Sequence, residues 1–275
     1  MTTRGIVICG LTGSLAIVAG WVLLQKSVPT TQKSDTSPSR PIPVRVTEPP
    51  PPVLVSVATN PSSPAPALPV TTDTTRKNRE RLTIKLPGPV FIGTPPDVRR
   101  ANLEPSREGK LRDPLDVPKG TRLLSLGCKV TSSDPSPLIG ELANITDGDK
   151  EHDSTTCVEL GINTQWVQLD LGTEKEIYAA CVWHCHGEAR VYNDVICQIS
   201  NDPDFIDRVE TVFNNDHDDT SKLGIGRDKE YFETNEGRPF AVNGVKGRYV
   251  RFYSRGNSSN TGNHYTEIEI YGKDI

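Results

Sequence analysis

Two hydrophobic patterns run along the chain. One is an unbroken stretch over residues 5–24 that carries no charge. Twenty residues at the helical rise of about 1.5 Å span roughly 30 Å, one hydrocarbon thickness. The other is a series of short runs at 166–171, 177–183, 195–200, 211–213, 248–254 and 264–271, alternating or apolar throughout. Such runs predict strands. In 248–254, Val250 and Phe252 are expected on one face, with Arg251 and Tyr253 on the other. In the last run Ile268 and Ile270 are expected to point inward, opposite Glu267 and Glu269. Turn residues separate the runs, at Asp147-Gly148, Asn201-Asp202-Pro203, Asn235-Glu236-Gly237 and Asn243-Gly244. No window predicts a long amphipathic helix, so residues 120–275 are expected to form an all-β, antiparallel β-sandwich or jelly roll.

The first stretch reads as a signal anchor over 1–27. It is too long for a signal-peptide core, and no A-x-A site follows it. The anchor would leave the bulk of the chain extracytoplasmic and held to the membrane by its N-terminal helix; the alternative is cleavage near Ser27 and secretion. Residues 28–75 are rich in Pro, Thr and Ser and include the run Pro49-Pro50-Pro51-Pro52. Proline fixes φ and lacks a donor, so an extended, disordered stalk is expected. Residues 76–119 differ, with 11 Lys+Arg against 6 Asp+Glu and apolar islands at Leu82, Ile84, Leu86 and Val90-Phe91-Ile92. This basic lead-in is expected to dock on the acidic domain, in preference to binding anionic lipid or cell-wall polymer.

Composition supports the division. Hydrophobic residues make up 35% of the 275, low for a chain packed from end to end. Residues 1–120 hold 16 basic and 9 acidic side chains (+7), and 121–275 hold 15 and 26 (−11). So acidic a domain is a poor partner for nucleic acid.

Five segments then carry a resemblance: Ala143-Asn144-Ile145-Thr146-Asp147-Gly148-Asp149; Trp166-Val167-Gln168-Leu169-Asp170-Leu171-Gly172; Val195-Ile196-Cys197-Gln198-Ile199-Ser200-Asn201-Asp202; Gly247-Arg248-Tyr249-Val250-Arg251; and Glu267-Ile268-Glu269-Ile270-Tyr271-Gly272. In this order they resemble the coagulation factor V/VIII type C (discoidin) family, which overlaps the family 32 carbohydrate-binding modules. The resemblance covers roughly 120–273. It implies an eight-stranded jelly roll of the galactose-binding-domain type, with ligand at loops on one end and no catalysis.

The tight acidic turn Asp147-Gly148-Asp149 offers hard oxygen ligands of the kind that suit Ca²⁺. The resemblance implies a structural Ca²⁺ held by the carbonyl of Asn144, by Asp147, Asp149 and Thr155, and by the carbonyl of Thr266 with the side chain of Glu267. Two departures, a longer loop at 150–154 and Cys157 where a tryptophan is usual, leave Ser154 or Asp153 as substitutes for Thr155. An ordinary acidic turn without metal is the alternative. For a sugar, which needs planar polar groups and an aromatic face, two clusters qualify: 183–192, and Asn257, Asn260, Asn263, His264 and Tyr265. The resemblance selects His186, Arg190, Asn263 and Tyr265 as ligand-binding, with Trp183 in the core and Glu188 or Asp194 as alternative partners for Arg190.

Weaker signals remain. Residues 214–219 (Asn214, Asp216 and Asp218 alternating) are open as a solvated loop, a second Ca²⁺ site or a ligand-contact loop, the first being preferred. His184 and His186, with Asp216, His217 or His264, offer a weak Zn²⁺ reading. Outside the anchor, Cys128, Cys157, Cys181, Cys185 and Cys197 are an odd number whose pairing is not legible. Cys157 and Cys197 read as buried small hydrophobes, and a bridge from Cys128 is one alternative. The functional expectation is a membrane-tethered, non-enzymatic module that binds a glycan or envelope polymer. The alternative is a structural or protein-interaction module of the cell envelope.

Overall fold

The computed structural model describes residues 78–90, 99–152 and 156–275. The expected anchor and stalk, and Thr155, lie outside the described residues. No helix among the described residues is long and apolar enough to cross a membrane.

Among the described residues eleven strands follow one another: β1 Arg79–Arg81, β2 Asp116–Pro118, β3 Arg122–Leu123, β4 Lys129–Ser132, β5 Val158–Leu160, β6 Gln165–Trp183, β7 Ile196–Ser200, β8 Glu210–Asn214, β9 Arg238–Ser254, β10 Asn263–Tyr265 and β11 Glu267–Asp274, with one 3-10 turn at Leu142–Thr146. The main sheet runs β3-β11-β6-β9-β7-β8, with β4 also on β6, and every pairing between these strands is antiparallel. Two ribbons, β1–β2 and β5–β10, stand apart from it.

Two long strands make the sandwich. The first half of β6 pairs with residues 249–254 of β9 and with β4, and its second half pairs with the start of β9 and with β11. The register shifts between Asp170 and Lys175, where Gly172 takes a φ of +82°. The runs predicted separately at 166–171 and 177–183 are therefore one strand that crosses from layer to layer. Likewise the predicted turn Asn243-Gly244 lies inside β9, where both residues hold positive φ (63° and 85°) as a kink. A second shift, between Ile177 and Ala179, flips the inward parity. Val167, Leu169 and Ile177 point into the core before it, Ala180 and Val182 after it. They meet Val250, Phe252, Ile268 and Ile270 in one cluster. Each fully buried Val, Leu, Ile or Phe among them is worth about 1.5–3 kcal/mol. The predicted last strand is cut at Thr266 into β10, which pairs with β5, and β11, which pairs with β6.

The outer face of β11 is not solvated as the alternation suggested. Glu267 and Glu269 are buried, and the cover comes partly from the lead-in. Leu82, Ile84, Leu115 and Val117 pack on Ala179 and Tyr271. Pro87 is buried and its carbonyl accepts from Asn235, whereas Leu86 and Val90 are exposed. Behind this apolar contact sits an ionic knot. Glu104 takes both terminal nitrogens of Arg112 (2.7 and 2.9 Å) and one of Arg238 (2.8 Å), while Arg107 bonds Glu236. Burial works to raise the Glu104 pKa, but Arg112 above all, with Arg238 and Arg107, outweighs it and holds the carboxyl below its usual range.

Glu104→Gln keeps the shape and removes the charge, stranding two guanidiniums whose side chains are 12% and 16% exposed. The expected loss is about 3 kcal/mol in urea unfolding; an unchanged midpoint would contradict the knot. Because the folded pKa is depressed, this contribution is present above the unfolded carboxyl range and fades as pH falls through the folded value.

Candidate functional site

The two ends of β6, the segment before β5 and the loops after β6 and β9 meet around the β5–β10 ribbon. There a cleft of about 270 Å³ is lined by Ile139, His152, Cys157, Glu159, Cys185, Glu188, Arg190 and His264. Glu159 and His264 face each other across the β5–β10 ribbon, which places both side chains on one surface. The opposite wall comes from the loop after β6, where Arg190 gives two hydrogen bonds to one oxygen of Glu188 (Nε 3.1 Å, Nη2 2.8 Å). Between them lies a disulfide, Cys157–Cys185, which ties the segment before β5 to that loop.

His264 is fixed from behind. Its Nδ1 shares a 3.1 Å hydrogen bond with the buried Tyr192 hydroxyl, and Tyr192 stacks on His184 at 4.2 Å. His184 in turn meets the buried Glu233 at 2.9 Å. Burial, helped by Arg190 and His184, pushes the His264 pKa down to about 4, against the pull of Glu188. The ring is therefore neutral at physiological pH, able to donate from one nitrogen and accept at the other.

Of the residues selected from the sequence, Arg190 lines the cleft and the other three do not. Tyr265 is fully buried with its hydroxyl 2.9 Å from Ser254 Oγ, so no sugar ring can stack on it. Asn263 spends its whole capacity on the fold. It accepts from Ser254 Oγ and Gly256 N (both 2.8 Å) and donates to the carbonyls of Gly161 (2.7 Å) and Asn163 (2.9 Å). His186 is buried, and its Nε2 lies 2.8 Å from the carbonyl of Lys150. Trp183 is in the core as expected. Sequence reasoning passed over Glu159 as a site residue and treated Glu188 only as a partner for Arg190. The signal for Glu159 was its place opposite His264, which depends on register.

The acidic turn at Asp147-Gly148-Asp149 lies beside the start of β11. Gly148 takes a φ of +88° and donates to Glu267 Oε2 at 3.2 Å, which joins the loop to β11. Asp147 and Asp149 are exposed, and each carboxylate accepts from the backbone N–H two residues on (2.8 and 3.0 Å). The carboxylates of Asp147, Asp149 and Glu267 do not all converge within 4.8 Å. Glu267 is fully buried, and its Oε1 has no hydrogen-bond partner. Burial first, then Glu269 and Asp147, push its pKa up to about 9, although the Gly148 N–H and Lys150 oppose the rise. Lys150 is committed to Glu269 at 2.5 Å.

The 214–219 loop is solvated only in part, with Asn214 and Asn215 buried and His217 and Asp218 exposed. Asp216 is buried, and its carboxylate accepts from the N–H groups of Asp218, Thr220 and Ser221 and from the Ser221 hydroxyl. Asp194, Asp216 and Asp218 cluster, but these donors come from the loop itself. No group of metal-ligating side chains among the described residues includes a histidine, so the zinc reading finds no site there. Cys157 is half of the disulfide and not a lone hydrophobe, and Cys128 is free, its thiol 3.3 Å from the Leu124 carbonyl.

No protein-family model matches the chain, and no curated protein matches it. Solved structures do resemble it. The CBM32 of AlyQ, in complex with 4,5-unsaturated mannuronic acid, is 23% identical with a TM-score of 0.41 over 54% of this chain and 97% of that one. Chitosan-binding module 1 of a chitosanase/glucanase from Paenibacillus sp. IK-5 is 22% identical, with a TM-score of 0.39 over 55% and 99%. A fucolectin from striped bass (Morone saxatilis) serum is 18% identical, with a TM-score of 0.40 over 57% and 49%.

Proposed function

We propose that the chain is a glycan-binding module that leaves its ligand intact. The observation that carries this reading is the loop-end cleft. Arg190, Glu159, Glu188 and His264 converge there beside the Cys157–Cys185 disulfide. Sugars present hydroxyls around an apolar ring face, and a small concave site with a few fixed polar groups suits them. Arg190 and the carboxylates bond hydroxyls, and His264, neutral and held at Nδ1 by Tyr192, offers its remaining ring nitrogen Nε2 as one further polar contact. The tether is the segment 1–27, with the stalk 28–75 giving reach; the module would then stand on the outer face of a membrane.

A structural Ca²⁺ belongs to the same reading. Glu267 supports it, since a buried carboxylate with an unpartnered oxygen beside two other acids calls for a cation. Asn144 and Thr266 through their carbonyls, with Asp147, Asp149, Glu267 and Thr155 through their side chains, would hold the ion. Its charge would offset the carboxylates and lock the loop to β11.

Ile139, which lines the cleft, and its neighbour Leu138, 49% and 67% exposed, favour the second reading, a protein partner. A glycan microarray probed with the full chain separates the two. Glycan-specific signal that falls at least about tenfold in Arg190→Ala, with no new reducing ends by mass spectrometry, supports the first. A blank array contradicts it and leaves the second.

A further inference from the structure

The cleft carries an unbalanced charge. Glu159 is 25% exposed, and its carboxylate accepts no hydrogen bond among the described residues. Its nearest ionic neighbour is His264 Nε2 at 3.7 Å, a ring that is uncharged at neutral pH. Across the cleft, Arg190 is already neutralised by Glu188. The disulfide and Ile139 bring no charge, and His152 completes the wall. Two carboxylates share this lining with one guanidinium and the imidazoles of His152 and His264, and Glu159 pairs with no Arg or Lys among the described residues. Room for it is built in: a Cβ on Gly262 would lie 2.8 Å from Glu159 Oε1.

A ligand that brings a cation to Glu159 satisfies this site, whereas an acidic sugar adds repulsion. Resting on the glycan-binding reading, we propose that the cleft selects a sugar bearing a protonated amine, with Glu159 as the counter-ion of its ammonium group.

Calorimetric titration of the full chain tests this with three oligosaccharides of one length: β-1,4-linked glucosamine, its N-acetylated counterpart and a uronate. The pH is set below the pKa of the amines and above the His264 value of about 4. The amine oligomer is expected to bind about tenfold tighter than the acetylated one, with the uronate weakest. In Glu159→Gln the first two converge to within about twofold while the acetylated ligand keeps its affinity. Gly262→Ala, which crowds the carboxylate, is expected to narrow the preference as well.

Equal binding of amine and amide, or preference for the uronate, overturns the proposal and leaves the glycan reading standing. An amine preference that survives Glu159→Gln also overturns it, because the attraction is then the general acidity of residues 121–275, with 26 acidic and 15 basic side chains. If no sugar of any charge binds, both fall together.

Discussion

Calcium added to the metal-free chain is expected to raise the melting temperature of the domain by roughly 5–10 °C, and EDTA to reverse the rise. The effect turns on Glu267. Burial pushes this carboxyl up to about 9, so without metal the folded state holds a proton that the unfolded chain releases near pH 4.5. A raised folded pKa means stability that is full below the unfolded value and is lost as pH climbs through the folded one. Between pH 4.5 and 7 the metal-free domain should lose roughly 3 kcal/mol at this site. Calcium replaces the proton and reverses the trend, since its affinity rises as the carboxylates ionise. Glu267→Gln separates the causes: it should abolish the calcium response and flatten this part of the pH dependence. A melting temperature indifferent to EDTA, calcium and pH between 5 and 8 would remove the metal.

Reduction of Cys157–Cys185 is the second large effect. The bridge spans 28 residues, and opening a loop of that size costs about 3–4 kcal/mol in the chain-entropy account. It also ties together two walls of the cleft, so affinity should fall with stability. The paired change Cys157→Ala and Cys185→Ala should lower the urea midpoint and weaken glycan binding together. Among the described residues the other thiols do not confuse the result, because burial pushes those of Cys181 and Cys197 well up and that of Cys128 up. A midpoint unmoved by dithiothreitol, with the bridge shown open by thiol counting, would contradict the assignment.

Much of the sheet was legible because its forces are local. Val167 and Leu169, Val250 and Phe252, and Ile268 and Ile270 alternate with polar neighbours, and each pair points into the core. The misreadings came where distant chain decides. Asn243-Gly244 has the composition of a hairpin turn, yet pairing of β9 with β6 on both sides turns it into a kink. Glu267 and Glu269 alternate like a solvated face, yet the face is covered. The site followed the same rule. Asn263 and Tyr265 have the chemistry of sugar ligands, and that chemistry is consumed in anchoring loops. Arg190 and His264 lay in stretches marked by composition, but Glu159 sits in a three-residue strand without a motif and reaches the cleft only through its register with β10. The disulfide partners lie on loops that meet only once the sandwich closes.

The most direct test is a crystal structure of the chain with the strongest array ligand bound. The account predicts an uncleaved sugar in the loop-end cleft, within hydrogen-bond distance of Arg190, Glu159 and His264, its apolar face toward Cys157–Cys185. A ligand seated elsewhere on the sandwich, or one found cleaved, would contradict it.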